Sequence, residues 1–192
     1  MMVKLGLQKW GETQVRHWVG NGVPKLVERA LTGELEGQPI KEVFDVAYPI
    51  FLDLYQDNNA QRSYFYDGVR EGLDYLKSRG YQLGCVTNKS EQFTHPLLKV
   101  LGIFNDFKII ISGDTLAKRK PDPMPLLYCA EHFNLKPEEC LMLGDSVSDV
   151  KAARAAGFDI ICMSYGYNHG NDISVENPDL VIDSMNQLSD HL

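Results

Sequence analysis

From Val69 onward the chain alternates short apolar runs with amphipathic stretches about ten residues long, and that alternation leaves few folds open to it. Val69 to Ser78 has helical apolar spacing and is stopped by Arg79-Gly80. Gln82-Leu83-Gly84-Cys85-Val86-Thr87 then reads as a strand, and Glu91 to Leu101 as a helix closed by Gly102. Phe107 to Ile111 is a strand and Met124 to Phe133 a helix. Leu141 to Gly144 is a strand with a helix behind it, and Ile160 to Met163 and Leu180 to Ile182 are two more strands. Strands this uniformly apolar are covered on both faces, and repeated strand–helix units build a parallel sheet flanked by helices. The fold class is α/β, with ligands expected beyond the carboxyl ends of the strands.

Before Val69 the rhythm is helical only. Pro24 suits the first turn of a helix through Lys25 to Leu31. A longer helix is expected from Ile40 to Tyr55, with Val43, Phe44, Ala47, Ile50, Phe51 and Leu54 along one side, and Pro49 should kink or divide it. The chain therefore splits near residues 60–66 into a helical module, 1–63, and an α/β core, 64–192. A length of 192 residues, 44% of them hydrophobic and 23% charged, has room for one core domain and a small accessory one. A net charge of −7 argues against nucleic acid or an anionic membrane as partner, while a local basic patch would still serve a small anionic substrate. The cysteines at 85, 129, 140 and 162 lack CxxC spacing and are expected as buried, reduced thiols. No signal-peptide pattern opens the sequence, and no apolar run is long enough to span a membrane, so a cytoplasmic location is expected.

The strand ends carry polar residues that buried strands do not need. Gly144-Asp145 delivers a carboxylate to a strand's exit, and Asp149 follows on the first turn of the next helix. Two carboxylates there suit a hard cation such as magnesium; the plainer role for Asp149 is to favour the helix dipole. Thr87-Asn88 puts a hydroxyl and an amide at another strand end, fit either for a phosphate cradle or for capping the helix that follows. Lys118-Arg119-Lys120-Pro121-Asp122-Pro123 is a basic cluster that prolines stiffen, and Lys120 could neutralise phosphate as a compact charge. An exposed charged loop is the alternative. Trp18-Val19-Gly20-Asn21-Gly22 could offer backbone N–H groups to a substrate carboxylate or simply link two helices.

Taken in order, Val86-Thr87-Asn88, Lys120-Pro121 and Gly144-Asp145-Ser146-Val147-Ser148-Asp149 resemble the second, third and fourth motifs of the haloacid dehalogenase (HAD) superfamily of phosphohydrolases. Within it the finer resemblance is to the phosphoglycolate phosphatases. It is carried by Trp18 to Gly22, Val86-Thr87-Asn88-Lys89, Lys120-Pro121-Asp122-Pro123 and Tyr165-Gly166-Tyr167-Asn168. The resemblance implies a Rossmann-like parallel core under a helical cap. It implies a magnesium-dependent phosphomonoesterase that splits 2-phosphoglycolate, a small phosphorylated metabolite, through an aspartyl-phosphate. By the match, Thr87 and Asn88 bind phosphate, Lys120 steadies nucleophile and phosphate, and Gly20 and Asn21 meet the substrate from the cap. Asp145 ligates Mg2+, with Asp149 supporting that site directly, through Lys120 or through water.

One family motif has no counterpart among these residues. The Asp-x-Asp-Gly-Thr that ends the first core strand is absent: no two aspartates stand two apart, and the first ten residues carry no acid. In the family that strand lies between the ones ending here at Thr87 and Gly144. Its absence implies a gap between two unpaired apolar edges, open to aggregation or to another chain. The expectation is an N-terminally truncated hydrolase, inactive alone and weak in binding magnesium. A real short protein whose gap is filled by its own N-terminal segment or a partner strand, a non-catalytic relative that binds phosphate or metal, and a same-fold phosphatase for another phosphorylated metabolite are the alternatives. Monomer and homodimer both remain open.

Overall fold

The structure, a computed structural model, describes residues 1–192. A 3-10 turn at Met2–Leu5 leads into α1 (Glu12–Trp18), α2 (Val23–Thr32) and α3 (Lys41–Asn58). Pro24 lies in the first turn of α2, where its missing N–H is no loss. Pro49 does not divide α3: the helix runs through it. The ring is on the exposed side, while buried Ala47 and half-buried Phe44, Ile50, Phe51 and Leu54 continue one packing face on either side of it. That shared face outweighs one lost hydrogen bond. Val43, expected on the same face, is exposed.

The alternating part follows as α4 (Val69–Ser78), β1 (Gly84–Val86), α5 (Glu91–Val100), β2 (Ile109–Ile111) and α6 (Met124–Phe133). β3 (Leu141–Gly144), α7 (Val147–Ala156), β4 (Asp159–Met163) and β5 (Leu180–Ile182) complete it. All strand pairs are parallel, as the uniformly apolar runs require. β4 shows why. Ile160 and Cys162 pack on one side with Leu126 of α6 and Val150, Ala152 and Ala153 of α7. Ile161 and Met163 pack on the other with Leu73 and Leu76 of α4 and Met185 and Leu188 near the carboxyl terminus. Alternate side chains of one strand thus feed two cores.

The strands form two sheets, β1–β2 and β3–β4–β5, with no pairing between β1 and β3. Between those two edges lies a cavity of about 530 Å³. Leu83, Cys85 and Val86 line it from one side and Leu141, Met142 and Leu143 from the other. The gap expected between the strands leading to Thr87 and Gly144 is present as an apolar slot.

Candidate active site

The carboxyl ends of β1 and β3 are joined by side chains where the strands themselves are apart. Lys120, nearly buried, reaches from the loop before α6 and donates to the Val86 carbonyl of β1 at 2.7 Å. The same ammonium meets Asp149 Oδ1 of α7 at 2.6 Å. Asn88 holds the lysine's own backbone, its Nδ2 donating to the Lys120 carbonyl at 2.9 Å. One lysine therefore spans the mouth of the slot.

Asp149 is 3% exposed and uses both oxygens. Oδ2 accepts from the Asp145 N–H at 3.1 Å, the Ser146 N–H at 3.0 Å and the Ser146 hydroxyl at 2.7 Å. It thus caps the start of α7 while pairing with Lys120. Gly144 is needed for this, because a Cβ there would lie 2.5 Å from the Asp149 Cβ. Burial pushes the Asp149 carboxyl up, but the Lys120 charge, its hydrogen bond and those of Ser146 and the backbone outweigh it and hold the group below the usual range.

Asp145 lives in the opposite field. Burial first, and then the neighbouring Asp149 charge, push its carboxyl up to about 6. Its Oδ2 accepts from the Tyr167 N–H at 3.1 Å and is packed beneath Gly166, where a Cβ would fall 2.0 Å away. Gly166 has φ +123°, so both space and backbone require glycine. Next to it the nearly buried Asn168 accepts from the Val147 N–H at 3.0 Å, giving the first residue of α7 a partner from the loop. The Tyr165–Asn168 segment is therefore a clamp over Asp145 and α7.

Thr87 and Asn88 do not cap α5. Its first N–H, on Glu91, donates to Asp114 Oδ1 at 2.8 Å. Thr87 Oγ1 accepts from the Lys89 N–H at 3.1 Å, which leaves the hydroxyl proton free to donate at the strand end. Of the basic cluster, Lys118 is the solvent-side member, pairing with Asp122 at 2.8 Å, and only Lys120 is buried.

The turn at Gly20-Asn21-Gly22 joins α1 to α2 and lies against the core loops. A Cβ on Gly20 would approach His169 at 3.2 Å, and one on Gly22 would come within 2.8 Å of Arg119 Nη1. His169 Nδ1 and the His17 carbonyl, 2.7 Å apart, link the same two regions. Asn21 adopts φ 60°. Its Oδ1 accepts from Arg29 Nη2 at 3.1 Å, and Arg29 also donates to the carbonyls of Trp18 and Leu35, both at 2.8 Å. Arg29 is 2% exposed, and burial lowers its pKa. Sequence reasoning missed this residue. The available signal was a basic residue inside the helical segment Lys25 to Leu31, two positions after Val27 and two before Leu31.

The carboxylates divide unequally as candidates for a cation. No group of three or more His, Cys, Asp or Glu side chains converges anywhere in the fold. Asp149 is committed to Lys120 and the α7 cap. Asp145 has a carboxylate oxygen without a protein donor and a pKa raised first by burial and then by the Asp149 charge, which a cation would relieve. Magnesium is held through one or two carboxylates with water and phosphate oxygens, so Asp145 fits as one ligand of such an ion.

The structure thus gathers Thr87, Lys120 and Asp145 at the strand ends of a parallel α/β core. The family description Haloacid dehalogenase-like hydrolase matches residues 1–163. A Nitrosococcus oceani protein named phosphoglycolate phosphatase is 58% identical over 192 residues, all of this chain and 85% of the relative. A Nitrosospira multiformis protein of the same name is 42% identical over 185 residues, 96% of this chain and 82% of that one. The crystal structure of a predicted phosphoglycolate phosphatase from Haemophilus somnus superposes with a TM-score of 0.91 at 32% identity, covering 98% of this chain and 85% of that one. The chain belongs to the haloacid dehalogenase-like hydrolases, and within them its resemblance is to phosphatases.

Proposed function

We propose that the chain is a magnesium-dependent phosphomonoesterase of phosphoglycolate phosphatase type, built as a helical cap, 1–63, over an α/β core, 64–192. The observation that carries this is the buried Lys120, held between the Val86 carbonyl and Asp149 beside the free Thr87 hydroxyl. Thr87 donates to a phosphate oxygen. Lys120 sets a fixed positive charge at the same strand ends, and because Asn88 and Asp149 hold it in place, no reorganisation is needed when charge develops. Asp145 holds magnesium, which when bound supplies further charge against the phosphoryl oxygens. The turn at Gly20 and Asn21 meets the rest of the substrate from the cap side and excludes water. Relatives named phosphoglycolate phosphatase, among them one 58% identical over the whole chain, support 2-phosphoglycolate over other phosphorylated metabolites.

The residues in hand supply no nucleophile. No aspartate pair two apart occurs among the 192 residues, and the carboxylates at the mouth of the slot have other partners, Asp149 the Lys120 ammonium and the start of α7, and Asp145 the Tyr167 N–H. The pure chain should bind inorganic phosphate without releasing it from 2-phosphoglycolate. An apolar extended segment ending in Asp-x-Asp, joined upstream of Met1, should fill the slot and confer magnesium-dependent release. A phosphate-release assay on both proteins tests this. Turnover by the 192-residue chain alone, or none by the extended one when folded, sinks the reading. The same slot favours a second reading, a phosphate binder without catalysis, which the inactive extended chain would support. Thr87→Val should weaken phosphate binding about tenfold, the scale of one charge-assisted hydrogen bond, in calorimetry.

A further inference from the structure

Four basic residues lie in the two segments that follow β1 and precede α6, and only two of them are neutralised. Lys120 pairs with Asp149 and Lys118 with Asp122. Lys89 and Arg119 have no carboxylate within 4.0 Å, in a chain where 26 acidic residues outnumber 19 basic ones. Lys89 is half-buried and stands two residues beyond Thr87. Its Nζ donates to the Tyr55 hydroxyl of α3 and lies 4.7 Å from the centroid of that ring. Tyr55 is itself held edge-on by Phe93 at 4.7 Å and stacked on Phe51 at 5.5 Å. The ammonium thus rests against an aromatic wall and has no carboxylate partner. Arg119 precedes Lys120 and leans on Gly22 of the α1–α2 turn, with no hydrogen bond from its guanidinium to any protein group.

Lys89 is a partly desolvated cation lacking an anion, which is unfavourable, and the exposed Arg119 adds a second positive charge to the strand-end loops. Both costs vanish when an anionic ligand arrives. The phosphate is already served by Thr87 and Lys120. We propose that Lys89, assisted by Arg119 beside the cap turn, is the specificity-determining residue for the carboxylate of the substrate already proposed, holding that second anionic group while Thr87 and Lys120 hold the phosphate. This rests on the reading of Thr87 and Lys120 as the phosphate site.

Calorimetry of the 192-residue chain with inorganic phosphate, ethyl phosphate and 2-phosphoglycolate separates the two claims, because ethyl phosphate keeps the ester and loses the carboxylate. The wild-type chain should prefer 2-phosphoglycolate over ethyl phosphate by about tenfold or more, the scale of one charge-assisted hydrogen bond. Lys89→Met should bring that ratio towards one, Lys89→Arg should restore most of it, and Arg119→Gln should lower it by about threefold. Tyr55→Phe removes the hydroxyl but not the charge and should keep the preference. An unchanged ratio in Lys89→Met overturns the proposal, and so does a Tyr55→Phe chain that loses it as fully, since Lys89 would then act only by fastening the cap. Phosphate binding with no preference in the wild-type chain refutes this inference alone. Absence of any phosphate binding refutes the phosphate site and the inference with it.

Discussion

The seam between β1 and β3 is closed by opposite forces at its two levels. Along the strands, Cys85 and Val86 face Leu141 and Leu143 across a cavity, and no backbone hydrogen bond crosses it. At the carboxyl ends, Lys120 crosses the same seam with a hydrogen bond to Val86 and an ion pair to Asp149. A parallel sheet normally aligns its catalytic edge through the strand ladder itself. Here a side-chain bridge does that alignment, so the site's geometry depends on a handful of polar contacts more than on the sheet beneath.

The largest effect should therefore come from cutting the bridge. Lys120→Met keeps an unbranched side chain, one atom shorter, and removes its charge, leaving Asp149 buried without a counter-charge. A loss of about 3–5 kcal/mol in urea unfolding at pH 7 is expected. Asp149 has a depressed folded pKa in the intact chain, so its stabilising contribution is present above the unfolded carboxylate range and lost as pH falls through the folded value. The difference between the two proteins should accordingly shrink in acid. A loss below about 1 kcal/mol would mean that packing across the slot, not the bridge, holds the two sheets together.

The slot level is sharpened by its cysteine. Burial pushes the Cys85 thiol up to about 11 from an ordinary 9.0. At pH 8 that lowers the thiolate fraction about 100-fold, so alkylation mapped by mass spectrometry should be about 100-fold slower than for a free thiol. Joining a strand that occupies the slot should slow it further. Reaction at the free-thiol rate would show the two edges parting in solution.

Much of the fold could be read in advance because its signals are local. The apolar run at Leu141–Gly144 and the helical spacing at Val69–Ser78 and Met124–Phe133 match the observed elements end to end. The strands expected from Gln82 and Phe107 each begin two residues later, at Gly84 and Ile109, since an apolar run does not say where its pairing partner stops. The local cost of Pro49 is visible in the sequence, whereas the face shared by Ala47 and Phe51 that outweighs it forms only in the folded chain. At the site, the residues at the strand ends were recognisable from their type and position. Their wiring was not. That Lys120 reaches Val86, that Gly166 makes room for Asp145, and that Arg29 fastens Asn21 are contacts between segments distant in sequence, and residue spacing carries no record of them.

The smallest effect separates the two aspartates that this wiring treats so differently. Asp145 has a folded pKa near 6 against 3.8 in an unfolded chain. Below the lower value it is protonated in both states and costs nothing. As pH rises through about 6, the folded protein must carry a charge that the unfolded chain carries more readily, so stability falls. Asp145→Asn retains an acceptor for the Tyr167 N–H and removes that charge. It should therefore gain about 1–3 kcal/mol at pH 7 and nothing at pH 3.5, a sign opposite to that of Lys120→Met. Magnesium supplies a separate arm: millimolar ion should raise the melting temperature of the wild-type chain and leave that of D145N unmoved, because binding only the native state stabilises it. Equal shifts in both proteins would remove Asp145 from the cation's ligands and leave its raised pKa a consequence of burial beside Asp149 alone.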